Sequence, residues 1–305
     1  MLMGHVERYL MLRQSLGVKL HATARRLRDF AHFADTRGDT HIRSVTAVAW
    51  AEAAPTADSR HRRLRDVVRL ARFLCAEDAE HELPPARVFP APRTKWIPHI
   101  YTPEELARIL DAAAQLRARK RNPLRRQTYV TLFGLLAATG LRVSEALKLE
   151  VDDLLPDGVL RISESKFGKS RLVPLHATVV EALYRYFDAR RPHAGMDEHV
   201  FLSVTGQPLS YRTVHSAFRR ILLLANIAPR QARWPRIHDL RHSFATRVLE
   251  QCGTQRRDVG RHFVALSTYM GHAQVNSTYW YLQATPGLMR YMADAAEALI
   301  AREAP

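Results

Sequence analysis

The sequence predicts a mainly α-helical protein of two domains, the second carrying a small antiparallel β-sheet. Three observations predict it. Apolar residues recur at helical spacing through most of the 305 residues. A proline-rich stretch interrupts that pattern once, before residue 100. Strand character is concentrated within residues 158–175.

Residues 1–83 read as a helical domain. Helix-period apolar positions run through 6–16, 20–34 and 60–76, with no convincing strand between them. The last of these holds Arg60, Arg62, Arg63, Arg65, Arg69 and Arg72 around an apolar stripe of Leu64, Val67, Val68 and Ala71. Residues 84–100 read as a linker, because Pro84, Pro85, Pro90, Pro92 and Pro98 cannot sit in a regular helix and favour extended backbone. Thr102-Pro103-Glu104-Glu105 then has the pattern of a capping box with proline at the first helical position.

A second domain, 101–305, therefore opens on a helix over 106–118. A basic cluster follows, and an apolar helix over 127–138 is broken by Thr139-Gly140. Residues 143–149 make a further turn or two. Val159-Leu160-Arg161-Ile162 and Arg171-Leu172-Val173-Pro174 flank Lys166-Phe167-Gly168-Lys169, the pattern of a hairpin turning at Gly168. Helices resume over 178–189 and 211–225, with Val200-Phe201-Leu202-Ser203 extended between them. Helices over 241–251, 264–270 and 287–302 complete the domain. No repeat of solenoid period is present.

Charge narrows the function. The chain has 46 Lys+Arg against 30 Asp+Glu, a net +16, and a pI near 10.5. Both domains share the surplus, which points to a polyanionic partner whose condensed counterions the cations displace. No apolar run reaches the roughly 18–20 residues of a membrane-spanning helix, and the N-terminus lacks the apolar core of a signal peptide. Cys75 and Cys252 show no C-x-x-C pairing, so neither a disulfide framework nor a zinc site is expected, and a reducing cytoplasmic compartment is.

The residues that carry chemistry lie late in the chain. His238-Asp239-Leu240-Arg241 precedes Gly271-His272 and then Tyr281. Upstream stands Thr139-Gly140-Leu141-Arg142-Val143-Ser144-Glu145. Two guanidiniums can clamp phosphate oxygens in a planar fork. Imidazoles can donate to those oxygens or move protons near neutral pH. A phenol can attack phosphorus, although only about one in a thousand is ionised at neutral pH. His238 and Arg241, three apart, project to the same side of a helical turn. Tyr279 and Tyr281 differ by about 200° on a helix, so they cannot both face one phosphate. There is no Walker-type G-x-x-x-x-G-K-[ST], no H-E-x-x-H and no D-x-D cluster, so neither ATP nor a metal is expected.

Six motif residues in this order resemble the catalytic domain of the tyrosine recombinase (phage integrase) family, from about residue 102 to about 285. Residues 1–83 resemble that family's core-binding domain. The resemblance implies a catalytic set of Arg142, Lys166, His238, Arg241, His272 and Tyr281, the nine-residue interval from His272 selecting Tyr281 over Tyr279. It implies that Lys166 protonates the leaving 5′ oxygen, that His238 acts near the nucleophile's proton, and that His272 hydrogen-bonds phosphate. The 31 residues from Arg241 to His272 exceed the usual spacing in compact members, the surplus falling within 253–262. The motif forms resemble integrases of transposon-like elements.

The implied function is site-specific DNA cleavage and rejoining through a covalent 3′-phosphotyrosyl intermediate, with no cofactor. The implied partners are double-stranded DNA, further copies in a tetrameric synapse, and accessory recombinases, at the nucleoid and away from membranes. Arg60, Arg62, Arg63, Lys169 and Arg171 are the expected DNA-contacting cations. A type IB topoisomerase-like relaxation activity and a catalytically silent DNA-binding protein are the alternatives. A basic protein assembling on RNA or membranes explains the charge alone.

Overall fold

The computed structural model describes residues 2–18, 20–90, 97–117, 123–163, 170–195, 197–203, 206–229, 233–253 and 259–271. The chain divides into two compact units, residues 1–96 and 97–305.

The first unit is a four-helix assembly: α1 (Leu2–Ser15), α2 (His21–Asp35), α3 (Ser44–Glu52) and α4 (Ala57–Leu74). Its core takes Val6 and Leu10 from α1, Leu27 and Phe30 from α2, Trp50 from α3 and Leu64 and Val67 from α4, all buried. Helix α4 starts where the Thr56 hydroxyl accepts the Ser59 N–H, an N-cap worth about 1 kcal/mol. Buried Asp66 on α4 takes two hydrogen bonds, at 2.8 and 2.6 Å, from Arg26 on α2. The Trp50 indole donates to Asp29 at 3.1 Å. Helix α3 was not foreseen. Its sequence, SVTAVAWAE, is short, rich in β-branched residues and apolar on several sides, so it carries no helical stripe to read.

The second unit opens with α5 (Pro103–Ala114), whose capping box between Thr102 and Glu105 is fully formed. Helix α6 (Arg125–Thr139) follows, then the single turn α7 (Val143–Ala146). A three-stranded antiparallel sheet comes next: β1 (Leu154–Leu155), β2 (Val159–Ile162) and β3 (Arg171–Pro174), in the order β1-β2-β3. Pairing Leu160 with Val173 and Ile162 with Arg171 puts Leu160, Ile162 and Val173 on the core face and leaves Arg161 and Leu172 outside. Strand β1 is only two residues long and has no alternation to detect. The hairpin tip, with Lys166 and Lys169, lies outside the described residues.

Helices α8 (Ala177–Arg190), α9 (Tyr211–Leu224), α10 (Ile237–Gly253) and α11 (Val259–Met270) complete the described part. Phe133, Leu136, Phe201, Phe218 and Leu240 anchor the main core. Ala245, Leu249, Phe263, Leu266 and Met270 form a smaller cluster between α10 and α11. No helix among the described residues is long and apolar enough to cross a membrane. The helix expected over 287–302 and residues 254–258 of the 253–262 surplus lie outside the described residues, while α10 begins at Ile237 and so includes the whole H-x-x-R motif.

Candidate active site

Helix α6 ends on Gly140 in the left-handed conformation, φ 61°, which glycine adopts without steric cost. Space is equally restrictive. A Cβ at residue 140 would lie 2.5 Å from the ring of Phe244 on α10 and 3.1 Å from the sulfur of Met270 on α11. The turn buries Leu141 and starts α7 at Arg142.

Glu145, one turn into α7, is 4% exposed at its side chain and sits between two guanidiniums. Its Oε1 accepts from Arg142 Nη1 at 2.6 Å and from Arg171 Nη1 at 3.1 Å. Its Oε2 accepts the Arg142 backbone N–H at 2.9 Å and Arg171 Nη2 at 2.8 Å. All four acceptor directions of the carboxylate are thereby used. Burial by itself would raise its pKa, but the hydrogen bonds from Arg171 and Arg142 outweigh that and hold it at about 2.

The same guanidiniums, with that of Arg241, converge on the C-terminal end of α11. Arg171 Nε donates to the carbonyl of Tyr269 at 2.8 Å. Arg241 Nη2 donates to Met270 at 2.6 Å, and Arg142 Nη2 to Gly271 at 3.1 Å. Three arginines from β3, α10 and the start of α7 thus satisfy three successive carbonyls. A helix end leaves such carbonyls unpaired and carries partial negative charge. Arg241, 2% exposed, also donates through Nη1 to Gly140 at 2.6 Å. Gly271 has φ 66°, and a Cβ there would come within 2.9 Å of Arg171 Nη1.

Helix α10 is held in place from its N-terminal side. Fully buried Asp239 accepts the Arg236 N–H at 2.8 Å and pairs with its guanidinium at 3.1 Å. Ser243 accepts the Tyr101 N–H at 2.8 Å, and Arg247 donates to the Tyr101 carbonyl at 3.0 Å. His238 lies one turn before Arg241, its ring edge-on to His242 at 4.9 Å. The residue is exposed overall, yet partial desolvation of its ring pulls its pKa below the usual imidazole value, and the charges of Arg241, Arg236 and Arg142 push the same way, against Asp239.

Of the residues expected from sequence, the structure brings Arg142 and Arg241 onto adjacent carbonyls and places His238 beside Arg241. Lys166, Lys169, His272 and Tyr281 lie outside the described residues. Three of the expected DNA-contacting cations make contacts within the protein. The Arg171 side chain is 11% exposed and turned inward onto Glu145 and Tyr269. Arg60 donates to the Ala54 carbonyl at 2.9 Å. Arg63 donates to the Trp50 carbonyl at 3.0 Å and lies 4.8 Å over its ring. Backbone carbonyls in want of donors captured these side chains, which no periodicity reveals. Arg62 remains outward, paired with Asp58, and the exposed Arg65, Arg69 and Arg72 continue its face. Glu145 was legible as part of its motif, three residues after Arg142, but its role as a shared anion was not.

Among the described residues, His41, Asp78 and His81 form the one group with metal-ligand spacing, their atoms within 4.8 Å of one another. The Ile42 N–H donates to Nδ1 of His81 at 3.0 Å. Nε2 must then carry the ring hydrogen and offers no lone pair to a cation. This cluster is read as structural.

Comparison with known proteins bears on family and fold. Residues 100–287 match the phage integrase family. A protein of Sinorhizobium fredii described as the integrase/recombinase y4rB is 37% identical over 293 residues, covering 93% of each chain. Tyrosine recombinase XerD of Staphylococcus aureus is 34% identical over 166 residues, 53% of this chain and 52% of its own. In fold, the chain resembles the Tn1549 transposon integrase in complex with transposon right end DNA, with a TM-score of 0.66 and 19% identity. That likeness covers 96% of this chain and 99% of the other. A lambda integrase dimer bound to a core site gives 0.64 at 19% identity, covering 92% and 76%.

Proposed function

The chain belongs to the phage integrase family of tyrosine recombinases, enzymes of site-specific recombination, and on that footing we propose that it cuts and rejoins double-stranded DNA through a covalent 3′-phosphotyrosyl intermediate. The Tyr281 oxygen attacks phosphorus, and the phosphorus–O5′ bond breaks. The leaving oxygen takes a proton from Lys166, and a 5′-hydroxyl later reverses the step on the same or another strand. The phosphodiester energy stays in the phosphotyrosine, so no ATP enters. Arg142 and Arg241, joined by His272, neutralise the charge that builds on the non-bridging oxygens, the electrostatic work that usually dominates such catalysis. His238 accepts the phenolic proton, a role its depressed pKa suits because the ring stays neutral near pH 7.

One observation carries this reading. Arg142 and Arg241 are fixed to consecutive carbonyls, Gly271 and Met270, so two guanidiniums are preorganised side by side. A net +16 suits a polyanionic substrate. The neighbouring structures on DNA, a lambda integrase dimer on a core site and a lambda integrase tetramer on a Holliday junction, support action as a multimer on DNA. Action at the nucleoid and with accessory recombinases belongs to the same proposal.

The test is a nicked suicide substrate that traps the intermediate. Tyr281→Phe abolishes the protein–DNA adduct, Tyr279→Phe retains it, and EDTA leaves cleavage intact. An undiminished adduct in Tyr281→Phe sinks the nucleophile assignment, and full loss in chelator sinks the metal-free chemistry.

A further inference from the structure

We propose that Arg171, on the second strand of the hairpin, is a positioning residue of the recombination site: its guanidinium divides Glu145 with Arg142 and pins the end of α11, without touching DNA. The inference rests on the reading of Arg142 as a phosphate clamp and adds a residue to that site.

Three contacts define the role. Arg171 meets Glu145 fork to fork, Nη1 to Oε1 and Nη2 to Oε2, the strongest arrangement for this pair of groups. Its remaining edge donates to Tyr269. Its Nη1 also fills the space that a side chain at Gly271 would need. The guanidinium is thus boxed between a carboxylate, a helix end and a glycine, with 11% of the side chain left to solvent.

This placement has two consequences. The first is electrostatic. Glu145 alone would neutralise Arg142, and a guanidinium matched one to one with a carboxylate has little charge left for phosphate. With Arg171 present, one anion serves two cations and the pair keeps a net positive charge facing the site. The second is geometric. Arg142 reaches Gly271 while Arg171 reaches Tyr269 two residues earlier, so both arginines and the backbone leading into His272 move as one body. A shift of about 1 Å at such a site costs on the order of 100-fold in rate. A lysine cannot replace this arginine, because an ammonium lacks the planar fork that engages both oxygens.

The experiment compares Arg171→Lys and Arg171→Ala with the full-length wild type. It measures duplex affinity across salt concentrations, the single-turnover rate of adduct formation, its pH profile, and thermal melting. In Arg171→Ala the adduct rate falls on the order of 100-fold, and added guanidinium partly restores it. Arg171→Lys loses about 10-fold, and the affinity of both variants stays within about threefold. The acid limb of the rate moves to higher pH in Arg171→Ala, because Glu145 loses one of the cations that keep it ionised.

Affinity and rate falling together, with a shallower salt dependence, would make Arg171 a phosphate contact and overturn the proposal. An Arg171→Lys enzyme at the wild-type rate overturns it as well, even where the alanine variant fails to fold. A wild type that forms no adduct defeats the reading of the whole site. A wild type that does, alongside an indifferent Arg171→Lys, defeats only this inference.

Discussion

Arg241 donates a 2.6 Å hydrogen bond to the carbonyl of Gly140, a residue 101 positions earlier. Gly140 opens the turn that presents Arg142, so the two arginine motifs share one backbone joint. Gly140→Ala puts a methyl group 2.5 Å from the Phe244 ring at a left-handed φ. The expected destabilisation is about 2–4 kcal/mol, with loss of the covalent adduct. Chemical denaturation and the suicide substrate read the two effects separately.

Glu145 carries the burial cost of a charge and the pairing that offsets it. Glu145→Ala leaves the Arg171 guanidinium enclosed without its anion and should cost about 3–5 kcal/mol. The pH dependence follows from its lowered pKa. The stabilisation is complete above its unfolded value of 4.5 and is lost as pH falls toward about 2. Urea midpoints between pH 6 and 3 should fall more steeply in the wild type than in Glu145→Gln.

His81 predicts a second pH effect, in the N-terminal unit. Its buried ring accepts the Ile42 N–H and packs edge-on against His5 and His41, at 5.1 and 4.9 Å. Desolvation lowers its pKa, and His41, His5 and Arg43 add to the effect while Asp78 opposes it. The unfolded chain therefore takes up the proton first as pH drops below about 6.5. Stability is present above that value and lost below it. In the full chain, the protection factor of the Ile42 amide, its exchange rate relative to the intrinsic rate at each pH, should fall between pH 7 and 5, and His81→Gln should blunt the response. An unchanged protection factor in the wild type across that window would refute the assignment.

The arginines of α4 separate into two sets. Arg65, Arg69 and Arg72 lie at helical spacing on an exposed face, whereas Arg60 and Arg63 cap carbonyls next to α3. Replacing each of the first three with alanine should weaken DNA binding with little regard to sequence and reduce the salt slope by about 1. Arg60→Ala and Arg63→Ala should lower the melting temperature more than the affinity. Binding measured at several salt concentrations distinguishes the sets.

His238 should titrate below the usual imidazole value in the protein alone, and its midpoint should rise when duplex DNA brings phosphates near Arg142 and Arg241. An NMR titration of the ring in both states checks this. A midpoint unmoved by DNA would place His238 away from the scissile phosphate.

Much of this protein was determined by its sequence alone. The capping box at Thr102, the strands at Val159 and Arg171, and the helical stripe through Leu64 and Val67 follow from local rules, because periodicity and caps depend on neighbours a few residues away. The order of Arg142, His238 and Arg241 was equally legible, since each sits in a short motif. Tertiary structure alone decided where the arginines point. Arg60, Arg63 and Arg171 look like surface cations in sequence, yet each was claimed by groups that other segments leave unpaired, carbonyls in every case and a buried carboxylate for Arg171. Such partners lie 6, 13, 26 and 98 residues away, and an unpaired buried carbonyl or carboxylate costs too much to leave unmet.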